Sequence, residues 1–145
     1  MRNEALSRLD GLIGQWKLTL TDAVFLESPD EKVEASTSFE WLADAFIVWR
    51  WVGGDDPAQD AHLVFGRSDA NDRDIAIYHD GRGVCRIFEM MFGDGQWTLT
   101  REDPDFHQRF IATVGADRID GRWEASEDAG ATWRKDFDLI FERIS

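Results

Sequence analysis

The sequence predicts an all-β fold, a single antiparallel up-and-down β-barrel of about ten strands with a short N-terminal helix, built as one domain over residues 1–145. Apolar and polar residues alternate along most of residues 15–142, as half-buried strands require. Short segments rich in Gly, Asp and Pro separate these stretches, and helical periodicity does not return. A closed meander removes the exposed sheet edges, so a barrel is favoured over a two-sheet sandwich.

The N-terminal segment carries the helix signal. Asn3 is a good N-cap residue, and Glu4 suits the positive N-terminus of a helix. Leu6 and Leu9 share one face, while Gly11 favours a C-terminal stop. We therefore expect a helix over about residues 3–10.

The strands follow in order from about residue 15 to about residue 142. The first alternates Trp16, Leu18 and Leu20 with polar neighbours, and the clearest alternation covers residues 33–41. Residues 80–83 and 93–95 are strong hairpin turns. The remaining strands are predicted over residues 45–52, 62–67, 75–79, 84–92, 96–101, 106–114, 118–125 and 133–142.

Composition indicates a well-filled core and excludes some classes of partner. The chain has 7 Trp, 10 Phe and 1 Tyr, which offer a large apolar area for burial. Its 29 acidic and 16 basic side chains give a net charge of −13, which repels nucleic acid and anionic membrane surfaces. We expect neither as a partner.

The sequence also predicts a cytoplasmic location. Cys85 is the single cysteine, so no internal disulfide forms. The first ten residues have charges on both sides of each apolar residue, unlike a signal peptide. No apolar run reaches the ~18 residues of a membrane span.

Several segments resemble a known group of proteins. Gly14-Gln15-Trp16, directly after the helix, resembles the Gly-x-Trp opening of calycin barrels. Residues 78–86, 105–110 and 121–126 resemble a group of small bacterial proteins of unknown function placed near lipocalins, fatty-acid-binding proteins and nitrobindins. The resemblance covers nearly the whole chain and brings no established activity. It implies that a late basic residue, Arg143, packs on the Trp16 ring.

The chain departs from two of these relatives. Fatty-acid-binding proteins insert a helical pair between the first two strands, and residues 22–32 are too few for it. Haem binding of the nitrobindin kind needs a late axial histidine, and no histidine follows His107. We therefore predict no cofactor.

Residues 126–133 match the Asp-box pattern Ser-x-Asp-x-Gly-x-Thr-Trp of sialidase propellers. In those enzymes the box recurs in successive blades, whereas this short chain carries it once. We therefore interpret it as a structural turn. Asp128 should accept backbone N–H groups, Gly130 should supply a permissive backbone, and Trp133 should pack beside them.

No catalytic or metal site is predicted. Cys85 would be a nucleophile only beside His79 or His107, and a single cysteine within a strand more often packs as a small core residue. The acidic stretch 69–80 lacks the residue pattern of a calcium loop. His62, His79 and His107 lack zinc-ligand spacing, and nothing sets the distance for an acid pair of Glu89 with Glu124.

Polar residues within apolar strands are the candidate binding residues. Arg50, Arg86, Gln108 and Lys135 share the parity of their apolar neighbours, so we expect these four to face inward. Two interpretations stay open. One is a pocket for a small amphipathic or hydrophobic ligand with an anionic or carbonyl head. The other is a filled barrel in which Arg50 or Arg86 pairs with Glu89, Glu124 or Asp136. The predicted ligand-binding set is Arg50, Tyr78, Arg86, Gln108, Glu124 and Lys135.

Three functional hypotheses follow. Binding of a small molecule inside the barrel is the first, because barrels of this size commonly hold one ligand. A structural or interaction protein acting as a homodimer is the second, through an exposed patch carrying Trp49, Trp51 or Met91. A small hydrolase or isomerase is the third.

Overall fold

The computed structural model describes residues 4–23, 26–28, 30–52, 60–68, 73–103 and 106–145. The predicted cap at Asn3, residues 53–57 after the third predicted strand, the first four residues of the acidic stretch (69–72), and residues 104–105 lie outside these ranges.

Each predicted element is present within the described ranges. Strand bounds differ from the predicted ones by no more than two residues. A 3₁₀ helix spans Glu4–Leu12, and the strands are β1 Gly14–Thr21, β2 Lys32–Leu42, β3 Phe46–Val52, β4 Ala61–Ser68, β5 Arg73–Asp80, β6 Cys85–Gly93, β7 Gln96–Asp103, β8 Phe106–Val114, β9 Arg118–Ser126 and β10 Arg134–Arg143.

The strands form one closed antiparallel barrel. Each strand pairs with its neighbours along the chain, and β1 pairs with β10 to close the sheet, with Trp16 opposite Arg143. The predicted fold class is confirmed, and the sandwich alternative is excluded. We call the end at which β1 begins the helix end. The opposite end, where β5 turns into β6 and β9 turns into β10, is the distal end.

The N-terminal helix covers the helix end with three leucines. Leu6, Leu9 and Leu12 have no exposed surface, because a period of three residues places them on one face of a 3₁₀ helix. The predicted stop at Gly11 is wrong, since the helix continues to Leu12. The chain turns instead at Gly14, where φ is +136° and a Cβ would clash with the carbonyl oxygen of Ser145.

Arg143 fixes this closure. Its guanidinium carbon lies 4.1 Å from the centre of the Trp16 ring, which confirms the predicted contact. The same guanidinium donates to the carbonyl oxygens of Ile13 at 3.0 Å and Ala116 at 2.9 Å. The Trp16 indole N–H donates to Leu12 O at 2.8 Å. Helix, first strand and last strand are thus joined at one point.

Arg143→Ala is expected to lower the free energy of unfolding by about 1–2 kcal/mol, because it removes a cation–π contact and charged hydrogen bonds together. Urea unfolding followed by tryptophan fluorescence measures the change. Arg118→Ala is the control, since the Arg118 side chain is 57 % exposed. Equal losses in the two variants would contradict the closing role of Arg143.

Aromatic rings fill the middle of the barrel. Trp49 is fully buried and its ring centre lies within 6.5 Å of those of six other fully buried or half-buried core rings. Gly121 is required beside them, because a Cβ there would lie 2.6 Å from the Phe110 ring. Among the described residues, the fully buried aromatic side chains are Trp16, Phe39, Trp49, Phe65, Phe88, Trp97, Phe110 and Phe141.

The Asp-box segment forms the turn between β9 and β10. Asp128 Oδ1 accepts the backbone N–H of Thr132 and the hydroxyl of Ser126, both at 2.8 Å. Hydrogen bonds from Thr132, and then from Ser126, lower the pKa of Asp128 to about 2. Gly130 has φ of +88°. Trp133 packs under the Arg109 guanidinium at 4.0 Å. The predicted structural turn is confirmed.

Candidate functional site

The barrel interior becomes more polar toward the distal end. Trp51 follows Trp49 on the inner face of β3, with ring centres 4.7 Å apart, and its ring centre lies 6.3 Å from that of Tyr78 on β5. The ring centres of Trp123 on β9 and Phe137 on β10 are 6.3 Å apart. Trp51, Tyr78 and Phe137 are half-buried and Trp123 is buried, and a small set of polar side chains lies among these rings.

Arg86 is the central cation of this set. It lies opposite Tyr78 in the sheet, and Tyr78 lies opposite the fully buried Leu63, so all three face inward. Arg86 Nη1 donates to Gln108 Oε1 at 3.2 Å. Its guanidinium carbon is 5.9 Å from the centre of the Tyr78 ring and 6.0 Å from that of Phe106. Within the described ranges, no carboxylate lies at salt-bridge distance from Arg86.

A buried carboxylate holds the Tyr78 ring in place. The Asp80 side chain has no exposed surface. It accepts the Tyr78 hydroxyl at 2.8 Å, the Arg82 backbone N–H at 2.8 Å and Arg82 Nη2 at 2.7 Å. The hydrogen bonds from the Arg82 guanidinium, with those from Tyr78 and the backbone, hold the pKa of Asp80 well below its usual range. Burial, followed by the bond to Asp80, raises the pKa of Tyr78 to about 12, so the hydroxyl stays protonated.

Two further groups shape the wall around Arg86. Arg101 donates to the carbonyl oxygen of Phe106 at 3.1 Å and so fixes the start of β8. Asp136 lies on β10, and burial raises the pKa of its carboxyl while the charges of Arg134 and Arg86 act in the opposite direction. The Asp136 carboxyl is therefore close enough to Arg86 for an electrostatic interaction, although the two do not form a salt bridge.

The structure brings together three of the six predicted binding residues. Tyr78, Arg86 and Gln108 lie side by side on the inner face. Arg50 does not face inward: it is exposed, because Trp49 and Trp51 take the inward parity of β3.

Glu124 and Lys135 also lie outside the predicted pocket. They are opposite one another on the outer side of the sheet, where Glu124 accepts from Arg109 Nε at 2.8 Å and Lys135 pairs with Asp22 and Asp138. Lys135 was expected to face inward from parity, and a β-bulge between Lys135 and Phe137 reverses that parity. Glu124 faces outward because it alternates along β9 with the buried Trp123 and Ala125.

Trp51, Asp80, Phe106 and Asp136 belong to the site although the sequence did not single them out as binding residues. For Asp80 a signal existed, since Tyr78 and Asp80 are two residues apart and therefore share a face of a strand. The following Gly81 favoured its assignment to the turn. Asp136 occupies the bulge, which the local sequence does not mark.

The reactive and metal-binding side chains considered from the sequence lie elsewhere. Cys85 is exposed on the outer surface, not packed in the core as expected, and lies opposite His79. The His62 and His79 rings stack with centres 4.9 Å apart. Within the ranges the structure describes, no three His, Cys, Asp or Glu side chains assemble into a metal site.

Glu89 and Glu124 do not form an acid pair. Each has its own arginine on the outer surface: Arg73 is 2.6 Å from Glu89, and Arg109 is 2.8 Å from Glu124.

No described helix has both the length and the apolar character needed to cross a bilayer.

A surface hollow of about 280 Å³ lies beside the Asp-box turn, away from Arg86. Asp128 and Thr132 line it, and their polar groups already bond to one another. Glu127 and Arg134 at its edge are 3.5 Å apart and largely exposed. The inner cluster around Arg86 is therefore the better candidate site.

Comparison with known proteins supports the architecture. The chain is similar to the crystal structure of Rv2717c from M. tuberculosis, with a TM-score of 0.56 and 9 % sequence identity over 100 % of both chains. At that identity the likeness concerns the fold alone. No family model and no curated protein sequence matches the chain.

Proposed function

We propose that the protein is a cytoplasmic, calycin-like barrel that binds a small amphipathic ligand at the distal end, with the anionic or carbonyl head of the ligand against Arg86. One observation carries the proposal. Arg86 is half-buried among aromatic rings, and its hydrogen-bond partner in the described part of the chain is the neutral amide of Gln108. A desolvated cation without a close counter-ion is costly, and a ligand anion would supply one.

The neighbours of Arg86 suit such a ligand. Gln108 uses its carbonyl oxygen to accept from Arg86, which leaves its amide N–H groups for the ligand head. Trp51, Trp123 and Phe137 offer an apolar wall for the body of the ligand. Ligand sites are mostly apolar with a few placed polar groups, and this cluster has that composition.

Aromatic rings fill the middle of the barrel, so the filled-barrel alternative competes with ligand binding only at the distal end, where Asp136 interacts with Arg86 but forms no salt bridge with it. This alternative requires Arg50 or Arg86 to pair with Glu89, Glu124 or Asp136 inside the barrel. Glu89 and Glu124 pair instead with other arginines on the outer surface, and Arg50 is exposed.

Displacement of anilinonaphthalene sulfonate from the protein tests the proposal. Dodecanoate, an anionic head on an apolar chain, is expected to displace the dye more strongly than dodecanol does. Arg86→Met should weaken dodecanoate binding by about tenfold or more, because a charge-assisted hydrogen bond is lost. It should leave the binding of dodecanol nearly unchanged.

Arg122→Met is the matched control, since Arg122 is exposed on β9. Circular dichroism should show that both variants fold. Failure of dodecanoate to displace the dye, or equal binding by the two variants, would overturn the proposal.

A further inference from the structure

The outer surface of the barrel carries an apolar row across β3 to β6, which is exposed mainly on β5 and β6, since Val48 on β3 is only 3 % exposed. Val48, Val64, Ile77 and Ile87 lie opposite one another in successive strands and form one row. Ile77 is 36 % exposed and Ile87 64 % exposed, and Phe46 extends the area toward the helix end. We call these five residues the outer patch. Single exposed apolar residues are ordinary, whereas a contiguous set marks a contact surface.

The outer patch has a cation at one corner and a carboxylate at the opposite corner. Arg50 follows Val48 on the same face of β3, toward the distal end, and Glu89 follows Ile87 on the same face of β6, toward the helix end. Among the side chains the structure describes, no carboxylate is at salt-bridge distance from Arg50. Glu89 contacts Arg73, but both are exposed, and such a pair contributes little.

We propose that the outer patch is the contact between two copies of this chain, related by a twofold axis that runs diagonally across it. Four neighbouring strands span about 14 Å, and the rise from Phe46 to Arg50 is about 13 Å, so the patch is nearly square. Phe46, Arg50, Glu89 and Cys85 occupy its four corners, with Phe46 diagonally opposite Cys85. A twofold axis along the Phe46–Cys85 diagonal therefore brings Arg50 of each copy to Glu89 of the other. The two apolar rows then cross at about a right angle, and Val64 and Ile77 of each copy meet at the centre of the contact.

Charge complementarity within the outer patch suits a second copy as the occupant, although the net charges of the two chains oppose association. Each chain carries a net charge of −13, so two copies repel unless opposite charges meet where they touch. The outer patch supplies both members of the required pair, as an isologous contact demands.

Cys85 offers an independent check of the same geometry. Arg50, His62, His79 and Cys85 lie opposite one another in β3, β4, β5 and β6, so Cys85 is at the β6 end of this row. It is exposed and is the single cysteine of the chain. Because the proposed axis passes beside it, the thiols of the two copies should lie close together. A short bis-maleimide should therefore join them.

Sedimentation equilibrium with the full chain tests the proposal. The wild type is expected to form a dimer in a concentration-dependent manner, and Ile87→Asp should raise the dimer dissociation constant more than about tenfold. Ile144→Asp is the matched control, because Ile87 and Ile144 are both 64 % exposed and both variants gain one negative charge. A monomeric wild type at all concentrations, or equal behaviour of the two variants, would overturn the proposal.

A charge exchange distinguishes this arrangement from other dimers. Arg50→Glu and Glu89→Arg should each weaken the dimer, and the double variant should restore it, because each corner then meets the opposite charge again. Cross-linking through Cys85 should follow the dimer fraction in all variants. Absence of restoration, or a dimer that does not cross-link, would rule out the diagonal contact.

Discussion

Trp49→Ala is expected to lower the free energy of unfolding by about 3–5 kcal/mol, the range for removal of a large buried aromatic side chain. Trp49 has no exposed surface and lies at the centre of the aromatic core. Its ring stacks on Phe39 at 5.4 Å and meets Trp97 edge-on at 5.3 Å, so truncation leaves a cavity that rigid neighbours cannot fill. The Trp49 indole N–H also donates to Thr37 Oγ1 at 2.7 Å, and that bond is lost.

Urea unfolding followed by far-ultraviolet circular dichroism measures this loss without relying on tryptophan emission. Trp133→Ala is the control, because Trp133 packs at the surface under Arg109 and its removal opens to solvent. The loss in free energy of unfolding for Trp49→Phe should lie between the losses for Trp49→Ala and Trp133→Ala. A loss for Trp49→Ala no larger than that for Trp133→Ala would contradict the central position of this ring.

Asp80→Ala is expected to lower the free energy of unfolding by about 2–4 kcal/mol near pH 7, because it removes a buried charge partner and leaves donors unsatisfied. The donors are the Tyr78 hydroxyl and the Arg82 N–H groups. The loss also frees the Tyr78 ring that lies against Arg86.

The effect of Asp80→Ala should depend on pH. The pKa of Asp80 is lower in the folded chain than its unfolded value of about 3.9. Its stabilising contribution is therefore complete above the unfolded pKa and is lost as pH falls toward the folded pKa. The difference between wild type and variant should shrink below about pH 4. A constant difference from neutral pH down to pH 3 would contradict the proposed ionisation of Asp80.

The fold could be predicted from the sequence because its signals are local. Alternation sets each strand, and turn residues such as those at 80–83 and 93–95 set the boundaries. Short connections leave only neighbours along the chain as pairing partners, so the order of the strands follows. The turn at Gly14 was harder to predict from the sequence, because the atom that excludes a Cβ there belongs to Ser145, which is distant along the chain.

The site was predicted in part. Tyr78, Arg86 and Gln108 face inward as predicted, because the register of their strands is uninterrupted and the alternation of side chains is preserved. Lys135 did not, because one inserted residue at Asp136 reverses every side chain before it. Arg50 shows a different difficulty: apolar residues occupy both faces of β3, so alternation does not tell which face is inside.

The predicted interaction patch shows the same difficulty. Trp49 is fully buried and Trp51 packs against the core, so neither is available to a partner. Met91 is 73 % exposed, as an interaction surface would require. The sequence did not single out the aliphatic residues of the outer patch, because β-branched residues fit either face of a strand.

The most direct test of the proposed ligand site is an NMR titration of the arginine Nε–H and glutamine side-chain amide signals with dodecanoate, with Arg86→Met used to assign the Arg86 signal. The Arg86 Nε–H and the Gln108 amide are predicted to shift together and to saturate, while the exposed Arg122 stays in place. Binding of dodecanoate that leaves the Arg86 and Gln108 signals unmoved would contradict the assignment of the ligand head to the distal end of the barrel.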